Sequence, residues 1–219
     1  MHPFFGLITH GTELIYTIIV VLLCFLVYYR TRDIYNLTKY KGIQYFRNAF
    51  LLFGLAYVLR FMLHLLTLTG RLVFDLFIPR GMMFPLMIVP VSYLSTMAIF
   101  YLSYSGIWKK INYKHFIVFS NIVAILVSAI AFISRSPAIV SLLQFLLLVF
   151  TIIIIYKKHK KNKKTHVKEL YILVSIFWLI NLFVLSPSRI LSFDSKIILQ
   201  AISLVVFFII YHKVAKWIK

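Results

Sequence analysis

Residues 14–32 read LIYTIIVVLLCFLVYYRTR. Leu14 to Tyr29 carry no charge, and Arg30 and Arg32 follow at once. An apolar run closed by basic residues is what a helix needs to enter lipid and stop with its charged end in the cytoplasm. Met1 to Thr12 hold no Lys or Arg, so the run lacks the basic start of a cleavable signal peptide. It reads as a retained helix that enters with its N terminus outside.

Six more apolar runs follow: Ala49 to Leu68, Met82 to Trp108, Phe116 to Ser134, Pro137 to Tyr156, Leu170 to Pro187 and Ile197 to Tyr211. Each is expected to be helical, because a single strand in lipid leaves its backbone groups unpaired. About 20 residues cross a bilayer. The first and last runs fall short of that and are expected to borrow Thr12, Glu13 or His212. The third is long, and Pro85 and Pro90 predict that it starts late or kinks near its outer end. A hydrophobic share of 62%, only 13% charged residues and a mean hydropathy of +0.95 leave too little polar surface for a water-soluble globule of 219 residues. The expected fold is all-α: one domain, residues 1–219, a polytopic bundle of seven transmembrane helices.

Twenty-four Lys plus Arg against five acidic residues, with a pI of about 10.1, would point a soluble chain toward nucleic acid. Here the charges sit in short connections between apolar runs, so they read as topology signal, and no nucleic-acid partner is expected. The first, third, fifth and last connections hold eighteen Lys and Arg, and the alternate ones hold five. That asymmetry predicts N terminus outside, C terminus inside, in the cell membrane. Trp108 and Trp217 would then stand at the inner interface. Lys157, Lys158, Lys160, Lys161, Lys163 and Lys164 are expected to touch anionic lipid headgroups, with docking of a protein partner the sharper reading.

Two connections have character of their own. Thr31 to Gln44 carries Ile34, Leu37 and Tyr40 at near-helical spacing and reads either as an amphipathic segment on the inner surface or as an ordinary basic loop. Gly70 to Gly81 is apolar for a loop, and Arg71 and Asp75 would pair at i, i+4 on a short lid. Similar endings after helices one and five, and similar loops after two and six, raise a parallel repeat of three helices, a linker helix and three more.

Arg60 stands alone as a charge inside a predicted span, where a guanidinium costs roughly 2.5–3.5 kcal/mol on insertion scales. It lies roughly 10 Å below the outer end of its helix, with His64 at i+4 on the same face. Two readings stand side by side: an ion pair with Glu13, or with loop Asp75, and a ligand-facing arginine. Gln144, Asn181 and Gln200 fall at comparable depth on three other helices, and Tyr93 and Trp178 lie near that layer. Each amide alone is an interhelical hydrogen bond; together the set predicts a cavity open to the outside.

Other chemistry is poorly provided for. His2, His10 and His64 share the outer half with Glu13, but no compact motif joins them and no metal site is expected. The single cysteine, Cys24, excludes a disulfide within the chain. No Walker loop, GxSxG, HExxH or buried carboxylate pair is present, so neither an enzyme nor a cofactor is expected.

The segment Tyr29-Arg30-Thr31-Arg32-Asp33-Ile34-Tyr35, then Lys39 to Arg47 and the helix through Tyr57 and Arg60, resembles small uncharacterised seven-helix proteins of archaea. In layout the chain is also similar to the seven-helix sensory modules that precede histidine kinases. That resemblance implies a sensor, and since the sequence to Lys219 carries no kinase domain, its output would pass to a separate cytoplasmic partner. The leading expectation is a sensor or receptor-like module that binds a small or lipid-like anionic ligand from the outer side. A small transporter or channel using the same cavity is the alternative.

Overall fold

The computed structural model describes residues 3–72, 80–109, 111–159, 165–184 and 192–216. Among them are seven α-helices: α1 Pro3–Thr38, α2 Lys41–Leu72, α3 Arg80–Ile107, α4 Tyr113–Ser134, α5 Pro137–His159, α6 Thr165–Val184 and α7 Phe193–Lys216. Five stretches are long and apolar enough to cross a membrane: Gly11–Thr38, Ile88–Ile107, Tyr113–Ser134, Pro137–Lys157 and Asp194–Lys216. In α6 the apolar stretch Glu169–Val184 is shorter than that measure.

Local chemistry sets several helix ends. Asn112 caps α4 by accepting from the Lys114 amide at 3.1 Å, and Arg135 closes it in a left-handed conformation (φ 48°) with its N–H on the Ala131 carbonyl. Pro137 then opens α5, where its missing N–H costs nothing.

The joint between α1 and α2 differs from both expectations. The helix runs on through the polar residues to Thr38, because nothing there breaks it, and Lys39 ends it at φ 52° with its N–H on the Tyr35 carbonyl. No separate surface helix forms: Ile34 is buried in the bundle, and Leu37 and Tyr40 are exposed. α2 starts immediately, and Gly42 makes this possible, since a Cβ there would sit 3.1 Å from the Ser105 carbonyl oxygen of α3. α3 does not start late. It begins at Arg80, so Pro85 and Pro90 lie within the helix. The Gly70 to Gly81 lid and its Arg71–Asp75 pair lie largely outside the described residues.

Around the bundle the neighbours run α1, α2, α3, α5, α6, α7 and back to α1, with α4 against α3 and α5. Helices α1 and α2 cross closely where Gly54 meets Cys24; a Cβ on Gly54 would be 3.0 Å from that of Cys24. Small residues at such crossings let backbones approach and gain dispersion contact. The interior is aromatic: Phe177 stacks on Phe207 at 4.4 Å between centroids, Phe207 on Phe50 at 5.8 Å, and Phe53 on Trp178 at 5.1 Å.

The distribution of side chains is inverted relative to a protein in water. Thr96, Ser103, Gln144, Thr151, Asn181 and Ser203 are buried, while Leu22, Phe119, Ile133, Leu146, Phe150 and Phe208 are exposed. Buried hydroxyls return to their own helices, as Thr31 does to the Val27 carbonyl and Ser128 to that of Ala124, which removes the penalty of an unpaired group. Apolar faces outward and satisfied polar groups inward require lipid as the solvent.

Candidate functional site

A cavity of about 280 Å³ lies between α2, α3, α5 and α6. Its lining runs from Pro137 at the start of α5 to Leu148, a depth of roughly 16 Å at 1.5 Å per residue. Phe53, Ile99, Leu148 and Trp178 supply apolar wall, and the polar lining includes Tyr57, Arg60, Ser92, Ser141, Gln144 and Asn181.

Arg60 is the charged residue of this wall. It is half-buried, and among the described residues no carboxylate lies within ion-pair distance of it. The expected pair with Glu13 does not form; Glu13 of α1 instead faces Lys196 of α7 at 3.7 Å. Height along the helix allowed Arg60, and α2 and α7 both flank α1, but Glu13 takes the cation of α7.

Gln144 is buried on α5 and donates from Nε2 to Ser95 Oγ of α3 at 2.6 Å, with longer contacts to the Thr96 hydroxyl and the Ser92 carbonyl. Asn181 is more completely engaged. Its Oδ1 accepts from Tyr16 at 2.6 Å and Tyr57 at 2.5 Å, and its Nδ2 donates to the Phe177 carbonyl and to Ser203 Oγ. An amide with both donors and both lone pairs used inside the protein has no capacity left for a guest. Asn181 therefore ties α1, α2, α6 and α7 together at the edge of the cavity.

Thus Arg60, Gln144, Trp178 and Asn181 are brought together, and two other expected residues are not. Gln200 is buried on α7, which contributes nothing to this lining. Tyr93 turns toward α4, where its hydroxyl donates to Asn121 Oδ1 at 2.5 Å; Ser92, one residue earlier and about 100° around the helix, takes the cavity face. The side chains of His2, His10, His64 and Lys158 lie outside the described residues, as do Lys160, Lys161, Lys163 and Lys164. Lys157 is exposed at the end of α5.

Sequence reading missed Tyr57, Ser92, Ser95 and Ser141 in the wall and Tyr16 and Ser203 in the network. Helical spacing held part of the signal. Tyr57 precedes Arg60 by three residues, Ser141 precedes Gln144 by three, and Ser92 and Ser95 form a third such pair, so each shares a face with its partner.

An all-helical bundle with apolar surface suited to lipid and buried polar groups satisfied inside it is a multi-pass membrane protein. The chain is 33% identical over 213 residues to an uncharacterised protein of the archaeon Archaeoglobus fulgidus, covering 94% of this chain and 92% of that one, and it belongs to that protein's family. No protein-family model matches it, and no solved structure does.

Proposed function

We propose that the protein spans the cell membrane seven times, N terminus outside, and acts as a sensor or receptor-like module. Its ligand is a small or lipid-like anion that enters the cavity from the outer side. The observation that carries this reading is Arg60, a guanidinium on the wall of an otherwise mainly apolar cavity with no carboxylate beside it among the described residues. A desolvated guanidinium recovers much of its cost on meeting a planar anion, which it binds through two parallel hydrogen bonds. Gln144, Ser141 and the Trp178 ring complete a site for a carboxylate or phosphate carried on a short aliphatic body.

Orientation follows from charge. The Lys and Arg of the α1–α2 joint, the α3–α4 joint and the ends of α5 and α7 gather at one end of the bundle, where Tyr40 meets Trp108 and Lys213 meets Glu169. That end faces the cytoplasm, anionic headgroups and a separate signalling partner. The place of α4, against α3 and α5 while the other six helices close on one another, supports a linker between two triplets.

Transport is the second reading, favoured by hydroxyl pairs on α3 in the other half of the bundle. Ser103 meets Thr151 at 2.6 Å and Ser105 meets Tyr171 at 2.7 Å. Ile99, Leu148 and the aromatic rings separate them from the cavity, so binding is the better reading. Among the described residues no carboxylate or histidine lines the cavity, and we assign no enzymatic step.

Thermal stability of the protein in neutral-lipid nanodiscs, with octanoate or octanol added, tests the binding reading. Octanoate should stabilise the wild type well beyond octanol, and Arg60→Gln should lose that difference. Equal stabilisation by both additives, or an unchanged octanoate effect in Arg60→Gln, refutes it.

A further inference from the structure

The opposite end of the bundle carries a second cationic feature, distinct from the cavity and from the lysine-rich connection after α5. Tyr28, Arg32 and Tyr35 follow one another at i, i+4 and i+7, which puts them on one face of α1, and Lys39 follows directly at the helix end. Arg47 of α2 lies across that face. Its guanidinium carbon is 5.0 Å from the centroid of the Tyr28 ring and 5.6 Å from that of Tyr35, and the Lys39 ammonium lies 6.0 Å from the Tyr35 ring. Two tyrosines thus hold a guanidinium between them through its attraction to their π faces.

Among the described residues neither Arg32, Lys39 nor Arg47 has a carboxylate within ion-pair distance, and Arg47 Nε is buried without a hydrogen-bond acceptor. Arg32 and Lys39 are exposed, while Arg47 is half-buried and fixed by the rings. The cluster stands at the C-terminal end of α1, where the uncharged run Leu14 to Tyr29 gives way to Arg30 and Arg32, a position that embedding in lipid would bring to the headgroups. Cations held by tyrosines at that level meet phosphate oxygens above and glycerol and acyl carbons below.

We infer that this α1–α2 face binds the phosphate of an anionic phospholipid, with Arg47 as its fixed cation, Arg32 and Lys39 closing on it, and the tyrosine rings against the glycerol. A planar guanidinium presents paired N–H groups that suit two oxygens of one phosphate. Basic pockets between transmembrane helices recognise headgroups by this chemistry. The site requires only that the bundle be embedded in lipid; it is independent of which side faces the cytoplasm and of any ligand in the cavity.

The test uses the full chain extracted from vesicles of equal phosphatidylglycerol and phosphatidylcholine, with retained lipid counted by native mass spectrometry. The wild type should keep phosphatidylglycerol in preference to phosphatidylcholine. Arg47→Gln should lower that retention about fivefold, the factor expected for one basic residue near a headgroup. Because Arg47 is part of the packing, the exposed pair Arg32→Gln with Lys39→Gln serves as the second variant, and it too should lose retention. Wild-type retention in that double variant, or equal retention of the two lipids by the wild type, overturns the assignment. Displacement of phosphatidylglycerol by millimolar inorganic phosphate also overturns it, since the face would then be a site for free anions.

Discussion

Tyr16 and Tyr57, on adjacent helices, donate their hydroxyls to one atom, Oδ1 of Asn181. Removing either donor should cost about 0.6–1 kcal/mol, the usual value for such bonds in membranes. Removing both leaves a buried oxygen with no donor, so Tyr16→Phe with Tyr57→Phe should cost more than the two single changes added. Asn181→Leu leaves the Tyr57 hydroxyl without its acceptor and the Tyr16 hydroxyl with Ser203 alone, 2.9 Å away, and should be the most damaging, by about 2–4 kcal/mol. Thermal unfolding of the four variants in detergent checks the order, and strict additivity of the tyrosine pair contradicts it.

Arg60 and Glu13 should behave as strangers. Glu13 faces Lys196, so Glu13→Gln and Arg60→Leu are expected to change stability additively. Arg60→Leu should by itself stabilise the fold, because no carboxylate among the described residues offsets the insertion cost of roughly 2.5–3.5 kcal/mol. A destabilised Arg60→Leu protein would show that the guanidinium has an unseen structural task.

The α1–α2 crossing offers a test of close approach. Gly54→Val should destabilise by about 1–3 kcal/mol through overpacking, since its Cβ would begin 3.0 Å from Cys24 Cβ. Cys24→Gly should relieve the strain, whereas Cys24→Ala, which keeps the clashing atom, should not. Equal rescue by both would place the strain elsewhere.

Topology can be read by labelling. In a Cys24→Ser background, a cysteine introduced as Asn162→Cys should react with an impermeant maleimide only after cells are opened. Labelling of intact cells would reverse the assigned orientation.

The helices themselves were legible because lipid leaves the backbone only one way to satisfy itself over a long apolar run. Their ends were not. α1 continues to Thr38 through charged residues that have no apolar signature, and only the left-handed Lys39 stops it. Site residues were legible in one coordinate out of two. Counting from helix ends gave the heights of Arg60, Gln144, Asn181, Gln200 and Tyr93. Azimuth, which sends Gln200 and Tyr93 elsewhere, depends on which helices are neighbours, and a single apolar sequence does not encode that order locally. Face-sharing was encoded, at spacings of three and four, and would have added Tyr57 and Ser141.

The rings along the cavity and beneath it have a consequence for what the cavity can accept. Phe53 stacks on Trp178 and meets Phe177, which stacks on Phe207, which stacks on Phe50. Rings in continuous contact cannot turn singly, so the deep wall yields only if several helices shift together. A guest therefore meets a hard stop. Each methylene that fits gains about 0.8 kcal/mol, and the first that does not costs about 1–3 kcal/mol. Affinity along a homologous series should climb and then fall within one carbon, so the cavity measures the length of its guest as a ruler does.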